Sequence, residues 1–350
     1  MAGIIYGKMV GKNDPMYGKI ETPIKMIIER ESDLCDKRKS VTKALFNIDT
    51  SRRFAETFIG QSDFDIFTET GEGMAGELDS IETTFKKVIE HHTFQKQFAI
   101  TKEMIEDAVQ GIAKQEKDKA SNFIRAYYKT QNKMAELALI NATGKTFNFA
   151  KGTYDCTAQD ELPLFHKAHP YPTDKLKKYT QTNRYCVNMN VEDFASASAI
   201  ENMLSALGVQ MRNFKDDNGE VMGYNADTII IPGNMFKLEG AVKKALGTER
   251  AAGSNFNDIN LNYGAWDVIV LNEWQPTTPK FMLMSREANK NLHGNNLFNR
   301  TKLVVNSWVD NPTGNMLWAG RARFGIGFAN WKHILLCEQG ESSECTALTL

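Results

Sequence analysis

Two glycine-rich stretches and two histidine pairs are the residues best placed by type and spacing to do chemistry. Gly71-Glu-Gly-Met-Ala-Gly76 has the G-x-G-x-x-G spacing that lets a backbone turn approach a pyrophosphate at a helix N-terminus. That use needs a buried parallel strand before the turn and further βαβ units after it. Phe64-Asp-Ile-Phe-Thr-Glu-Thr70 is not such a strand, and Glu72 would stand beside the anion. The context predicts a loop tip, with a nucleotide-binding enzyme as the distant alternative. Gly144-Lys145-Thr146 ends like a Walker A loop, but the first glycine of that motif would fall at Leu139, inside a helical pattern. His166 and His169, and the adjacent His91 and His92, lack the Cys, Asp or Glu partners of a recognisable metal set, and Pro170 argues for a turn. Histidines bonded to backbone are expected there. Neither G-x-S-x-G nor H-E-x-x-H occurs. The expectation is a protein with no catalytic residues, no cofactor and no metal.

The element that must organise the rest is Thr101 to Gly144. Thr101 offers an N-cap, Glu103, Glu106 and Asp107 suit the positive end of a helix dipole, and apolar residues recur at helical spacing through Phe123, Tyr127, Met134 and Leu137. A continuous helix of about 40 residues would be roughly 60 Å long. Gly111 and the run Gln115 to Lys119 leave open a break into two collinear helices.

The 350 residues are 42% hydrophobic with a formal net charge of −1, enough apolar content for a large core and no global signal for nucleic acid. Five scattered cysteines without a C-x-x-C pair read as free thiols in a reducing compartment. No apolar run has the length of a signal peptide or a membrane span. Charge is nevertheless uneven. Residues 1–53 carry eleven Lys or Arg and seven Asp or Glu, whereas residues 61–90 carry eight acidic residues against Lys86 and Lys87. The basic segment has little local core and reads as an arm extended over another surface.

Thr83 to Ile89 and Thr93 to Ile100 are rich in β-branched and aromatic residues and read as the two strands of a long projecting hairpin. Thr146 to Thr182 reads as an irregular connection. A helix capped by Asn190 and running to about Met211, a turn at Asp217-Asn-Gly219, a strand at Asp227 to Pro232, a helix from Asn234 to Leu246 and a strand at Trp266 to Trp274 suggest an α/β region. From Thr301 onward, Lys302 to Val309, Asn315 to Ala319 and Phe324 to Cys337 read as a meander that the long helix should cover, with Ile112, Phe123, Tyr127 and Met134 facing Leu303, Val305, Trp318 and Phe324.

Five stretches, in order, carry a resemblance: Ala44-Leu-Phe-Asn-Ile-Asp-Thr-Ser51, Phe98-Ala-Ile-Thr-Lys-Glu-Met-Ile-Glu106, Leu164-Phe-His-Lys-Ala-His-Pro170, Lys215 to Gly219 with Asp227 to Pro232, and Gly325-Ile-Gly-Phe-Ala-Asn-Trp-Lys332. The series resembles the major head subunit of tailed bacteriophages, in the branch similar to the Mu-like major head protein. The resemblance implies the α+β Hong Kong 97-like capsid fold. Its parts would be an N-terminal arm at 1–59, an E-loop at 60–100, a P-domain opening at 101–182 with a spine helix, an A-domain at 183–299, and the P-domain sheet and tail at 300–350.

It also implies pentamers and hexamers forming an icosahedral virion head in the host cytoplasm, with a separate scaffold, a portal and decoration proteins as partners. Packaged double-stranded DNA would touch the shell weakly and without sequence preference. An encapsulin-like nanocompartment of the same fold is the alternative. If subunits are crosslinked, Lys86 or Lys87 would supply the amine. Between subunits, Arg30, Lys37, Arg38 and Lys39 of the arm are expected near Glu69, Glu72, Glu77 or Asp79 of a neighbour's loop, while Phe85, Val88 and Ile89 provide the adhesion.

Overall fold

The computed structural model describes residues 5–6, 18–62, 64, 66–75, 78, 83–107, 114–173, 176–247, 263–341 and 343–349. In chain order, β1 (Ile5–Tyr6), α1 (Gly18–Lys37), α2 (Val41–Leu45), β2 (Asn47–Thr50) and β3 (Ala55–Gln61) lead to β4 (Thr83–Glu90) and β5 (His92–Ile100). Next come α3 (Lys102–Asp107), α4 (Lys114–Ile140), β6 (Thr146–Phe149), β7 (Gly152–Asp155), β8 (His169–Pro170), β9 (Thr180–Gln181) and β10 (Arg184–Val187). The rest is α5 (Ala197–Arg212), β11 (Thr228–Pro232), α6 (Phe236–Gly247), β12 (Asp267–Leu271), β13 (Lys280–Met284), α7 (Arg286–Asn291), β14 (Asn295–Val309), β15 (Met316–Phe328), β16 (Ile334–Gln339) and β17 (Thr346–Ala347).

One sheet is built on the long antiparallel pair β14 and β15, with β5 on the far side of β15 and both β1 and β2 along β14. Alternate residues Leu303, Val305 and Ser307 on β14, and Met316, Trp318 and Ala322 on β15, are buried, the period of two that a covered sheet requires. The cover is α4, whose 27 residues make a rod of about 40 Å. Phe123 sits over Gly320, where an added Cβ would lie 2.4 Å from the ring, so glycine is needed for the helix to approach this closely. Phe123 also meets Phe98 at 5.1 Å between centroids, Phe98 stacks on Trp318 at 6.1 Å, and Tyr127 meets Phe324 edge-on at 6.5 Å. The expected facing of Phe123 and Tyr127 onto this sheet is therefore seen. Met134 is buried as well, whereas Ile112 and Gly111 lie outside the described residues.

The second sheet has the order β12-β11-β13-β16-β10-β17. Every residue of β11, Thr-Ile-Ile-Ile-Pro, is buried, as a central strand between covered faces must be. Beside it α5 and α6 pack on one another through a shared core that includes Leu204, Leu207, Leu238 and Val242. A polar hub holds the connecting region against the start of β10. The Asn183 amide donates to the carbonyls of Leu164 (2.7 Å) and Ile334 (3.2 Å), and its oxygen accepts from the His166 amide (3.0 Å). The fully buried His169 bonds Asp160 at 2.6 Å and stacks on Trp331 at 4.2 Å. These histidines serve the fold.

Several expectations need correction. The arm is not extended through residues 18–37. Glu21, Ile24, Ile28 and Ser32 recur at helical spacing and bury one face of α1 along α4, with Ser32 and Asp36 bonding the Tyr128 hydroxyl and Glu31 pairing with Arg125. The strands β4 and β5 do not form a hairpin with each other. Instead β4 pairs with β3, and β5 joins the central sheet beside β15 over nine residue pairs. The stretch Phe324 to Cys337 is not one strand. Its second half, β16, crosses to the other sheet between β13 and β10, so residues 300–350 serve both sheets. The helix expected from Asn190 begins at Ala197, after a short turn over Asp193–Ala195. Cys186 and Cys345 form a disulfide with Cα atoms 5.7 Å apart, leaving Cys35, Cys156 and Cys337 free. The parallel pairing of β17 with β10 aligns the bridged pair across 159 residues of sequence, which counting cysteines could not reveal.

Candidate assembly surfaces

The β3–β4 ribbon is anchored at its base and bare toward its tip. Phe58 packs on Phe298 at 5.9 Å and on His293 at 5.5 Å. Along β4, Lys87 and Ile89 turn inward while Lys86, Val88 and Glu90 face out. The Lys87 ammonium is buried against Asp155 and Thr157. Its amine is therefore committed within the chain, and only Lys86 of the two lysines is exposed. Ile89 is 3% exposed and packs where a Cβ on Gly327 would touch it, so it belongs to this chain's own core instead of a neighbour's surface. Phe85 is half-buried beside Gly60, and Val88 remains exposed.

Beyond the ribbon, Phe64, Ile66, Phe67, Met74 and Leu78 are all exposed, with Phe67 at 100% and Leu78 at 98%. Within this loop the Met74 amide donates to the Gly71 carbonyl at 3.1 Å, and Gly73 takes a φ of 79°, so the glycine motif closes a turn. Residues 66–70, 75 and 78 around it are not helical, while Gly76, Glu77 and residues 79–82 lie outside the described residues. Glu69 and Glu72 are exposed on the loop, while Glu77 and Asp79 lie outside the described residues. Arg30, Lys37, Arg38 and Lys39 are exposed too, and among the described residues nothing bonds them to Glu69 or Glu72 within one chain. The loop's apolar content was legible as hydrophobic residues among acids, but the exposure of its described apolar side chains was not.

Among the described residues no group of three His, Cys, Asp or Glu is placed to hold a metal ion, and no helix is long and apolar enough to cross a membrane. Burial raises the Cys156 thiol to about 12 and also raises the Cys337 thiol, which suits packing and not nucleophilic chemistry.

Neither a protein-family description nor a curated sequence matches the chain. Solved structures do. The capsid of cyanophage P-SCSP1u superposes with a TM-score of 0.53 at 10% identity, covering 87% of this chain and 89% of that one. The chain has the Hong Kong 97-like capsid fold. The capsid of Myoviridae phage XM1 gives a TM-score of 0.50 at 12% identity over 87% and 93% of the two chains. A native GTA particle capsid gives 0.50 at 12% identity over 86% and 90%. The matches span most of this chain and of each neighbour.

Proposed function

We propose that this chain is the major head protein of a tailed bacteriophage, a structural and non-catalytic subunit of the virion. Copies assemble as pentamers and hexamers into an icosahedral shell around double-stranded DNA, with scaffold and portal proteins as assembly partners. One observation carries this reading beyond fold likeness: between β3 and β4, the described residues Phe64, Phe67, Met74 and Leu78 expose large apolar side chains. Such a patch marks a site of association. In this reading Phe67, Leu78 and their neighbours, with Phe85 and Val88, adhere to an adjacent subunit, the ribbon serves as the E-loop and α4 as the spine. Placement in the Mu-like branch rests on the sequence stretches alone. Sedimentation of the purified chain under assembly conditions tests the proposal. Megadalton particles that protect nucleic acid from nuclease support a phage head, particles holding only protein point to the nanocompartment, and a persistent small oligomer refutes a shell.

A further inference from the structure

Cations collect around a groove of about 890 Å³ bounded by the end of α1, α2, α4 and the edge of the central sheet. Lys37 ends α1, Arg38 and Lys39 lie between α1 and α2, and Arg125, Lys129 and Lys133 come from α4. Steps of four residues set the α4 cations on one helix face, about 6 Å apart along the axis. The groove is lined by eight Lys or Arg against four Asp or Glu. Three of those carboxylates are already engaged. Asp36 accepts from the Tyr128 hydroxyl, Glu273 pairs with Lys133, and Glu136 accepts from the Glu273 amide while burial raises its pKa. By contrast, Lys37, Arg38, Lys39 and Lys129 make no ion pair or side-chain hydrogen bond among the described residues. Like charges held together repel, and an anionic partner relieves that cost.

We propose that this groove holds the phosphate backbone of double-stranded nucleic acid through Lys37, Arg38, Lys39 and Lys129. The shell reading supplies the source of such a duplex, but the charge complementarity is the groove's own. An acidic loop from another copy is the competing occupant, and the groove suits it less. A duplex carries one negative charge per ~1.7 Å of its axis, denser than a loop whose described carboxylates are Glu69 and Glu72. Lysine and arginine contacts to phosphate carry no base information, so binding is indifferent to sequence.

The test measures binding of unassembled subunits to a short mixed-sequence DNA duplex by fluorescence anisotropy across a salt series. If four phosphates are neutralised, affinity falls roughly 100-fold between ~50 and ~200 mM salt. Replacing Lys37, Arg38, Lys39 and Lys129 together by Gln removes most of the binding and flattens the salt slope, and Lys129→Gln alone lowers the slope by about 0.9. The control Lys151→Gln, an exposed lysine on the β6–β7 turn, changes neither. Circular dichroism melts confirm that each variant is folded. Unchanged affinity and slope in the four-residue variant overturn the proposal. If that variant binds duplex normally but no longer forms shells, the groove receives another subunit's loop and the proposal is equally overturned. A wild-type chain that binds duplex as described but never forms shells upholds the groove and refutes the shell.

Discussion

The α4-covered sheet and the β3–β4 ribbon draw on the same kinds of residue and treat them in opposite ways. On the sheet, Trp318 and Phe324 are fully buried and interlock with Phe98, Phe123 and Tyr127. Beyond the ribbon, Phe64, Ile66, Phe67 and Leu78 stand in solvent. Burying one such side chain is worth about 1.5–3 kcal/mol, so the loop forgoes within its own chain the gain that builds the sheet. The difference separates two uses of apolar surface, one spent on folding the subunit and one kept for joining it to others.

Changes on the folding side should therefore show in subunit stability. Phe123→Ala should cost about 3–5 kcal/mol by chemical denaturation of unassembled subunits, because Gly320 lies directly under the ring and cannot fill the cavity. A loss below 1 kcal/mol would place Phe123 outside the core. Cys186→Ser, or reduction of the bond to Cys345, should cost about 2–4 kcal/mol by freeing the unfolded chain and releasing β17 from β10. Equal stability of oxidised and reduced protein would show that β17 is held by its strand bonds alone.

Acid should act on the same side. Burial lowers the pKa of His333 to about 3, and its Nε2 donates to Asn295 at 2.8 Å, so the folded state keeps the neutral ring. As pH falls below about 6.5 the unfolded chain takes up the proton first, and stability drops by roughly 1 kcal/mol per pH unit until about pH 3. Desolvation lowers the pKa of His91 and His92 in the same direction. His333→Gln, whose amide can still donate to Asn295, should flatten that decline in melts taken from pH 7 to pH 4. A wild-type slope retained in the variant would assign the acid sensitivity elsewhere.

The smallest effect on stability is expected on the joining side. Ile66→Ser, Phe67→Ser and Leu78→Ser together should shift unfolding by less than about 0.5 kcal/mol, since all three are exposed, yet abolish particle formation in sedimentation. Normal particles from this variant would break the contrast between the two regions.

Legibility in the sequence followed how local each signal was. The facing of Phe123 and Tyr127 could be read because α4 carries its own period, and the fully apolar β11 because five successive buried residues need no partner to be recognised. Strand partners were harder. Thr83 to Glu90 and His92 to Ile100 look like consecutive hairpin strands, but alternation fixes only which residues share a face and not which strand lies alongside. The same gap hid the crossing of β16 and the Cys186–Cys345 bridge. The arm misled because Pro23 and the neighbouring polar residues masked a helical face at Glu21, Ile24, Ile28 and Ser32. The groove cations could be named from sequence as Lys37, Arg38 and Lys39, but their meeting with Lys129 depends on α1 folding back along α4.

Electron microscopy of the purified, assembled chain tests the central claim most directly. The account predicts closed particles of uniform diameter, in which image reconstruction places six-fold and five-fold clusters of this subunit with the 62–82 loop of each lying on a neighbour. Particles that never close, or a reconstruction in which Phe67 and Leu78 face solvent in every subunit, would contradict it.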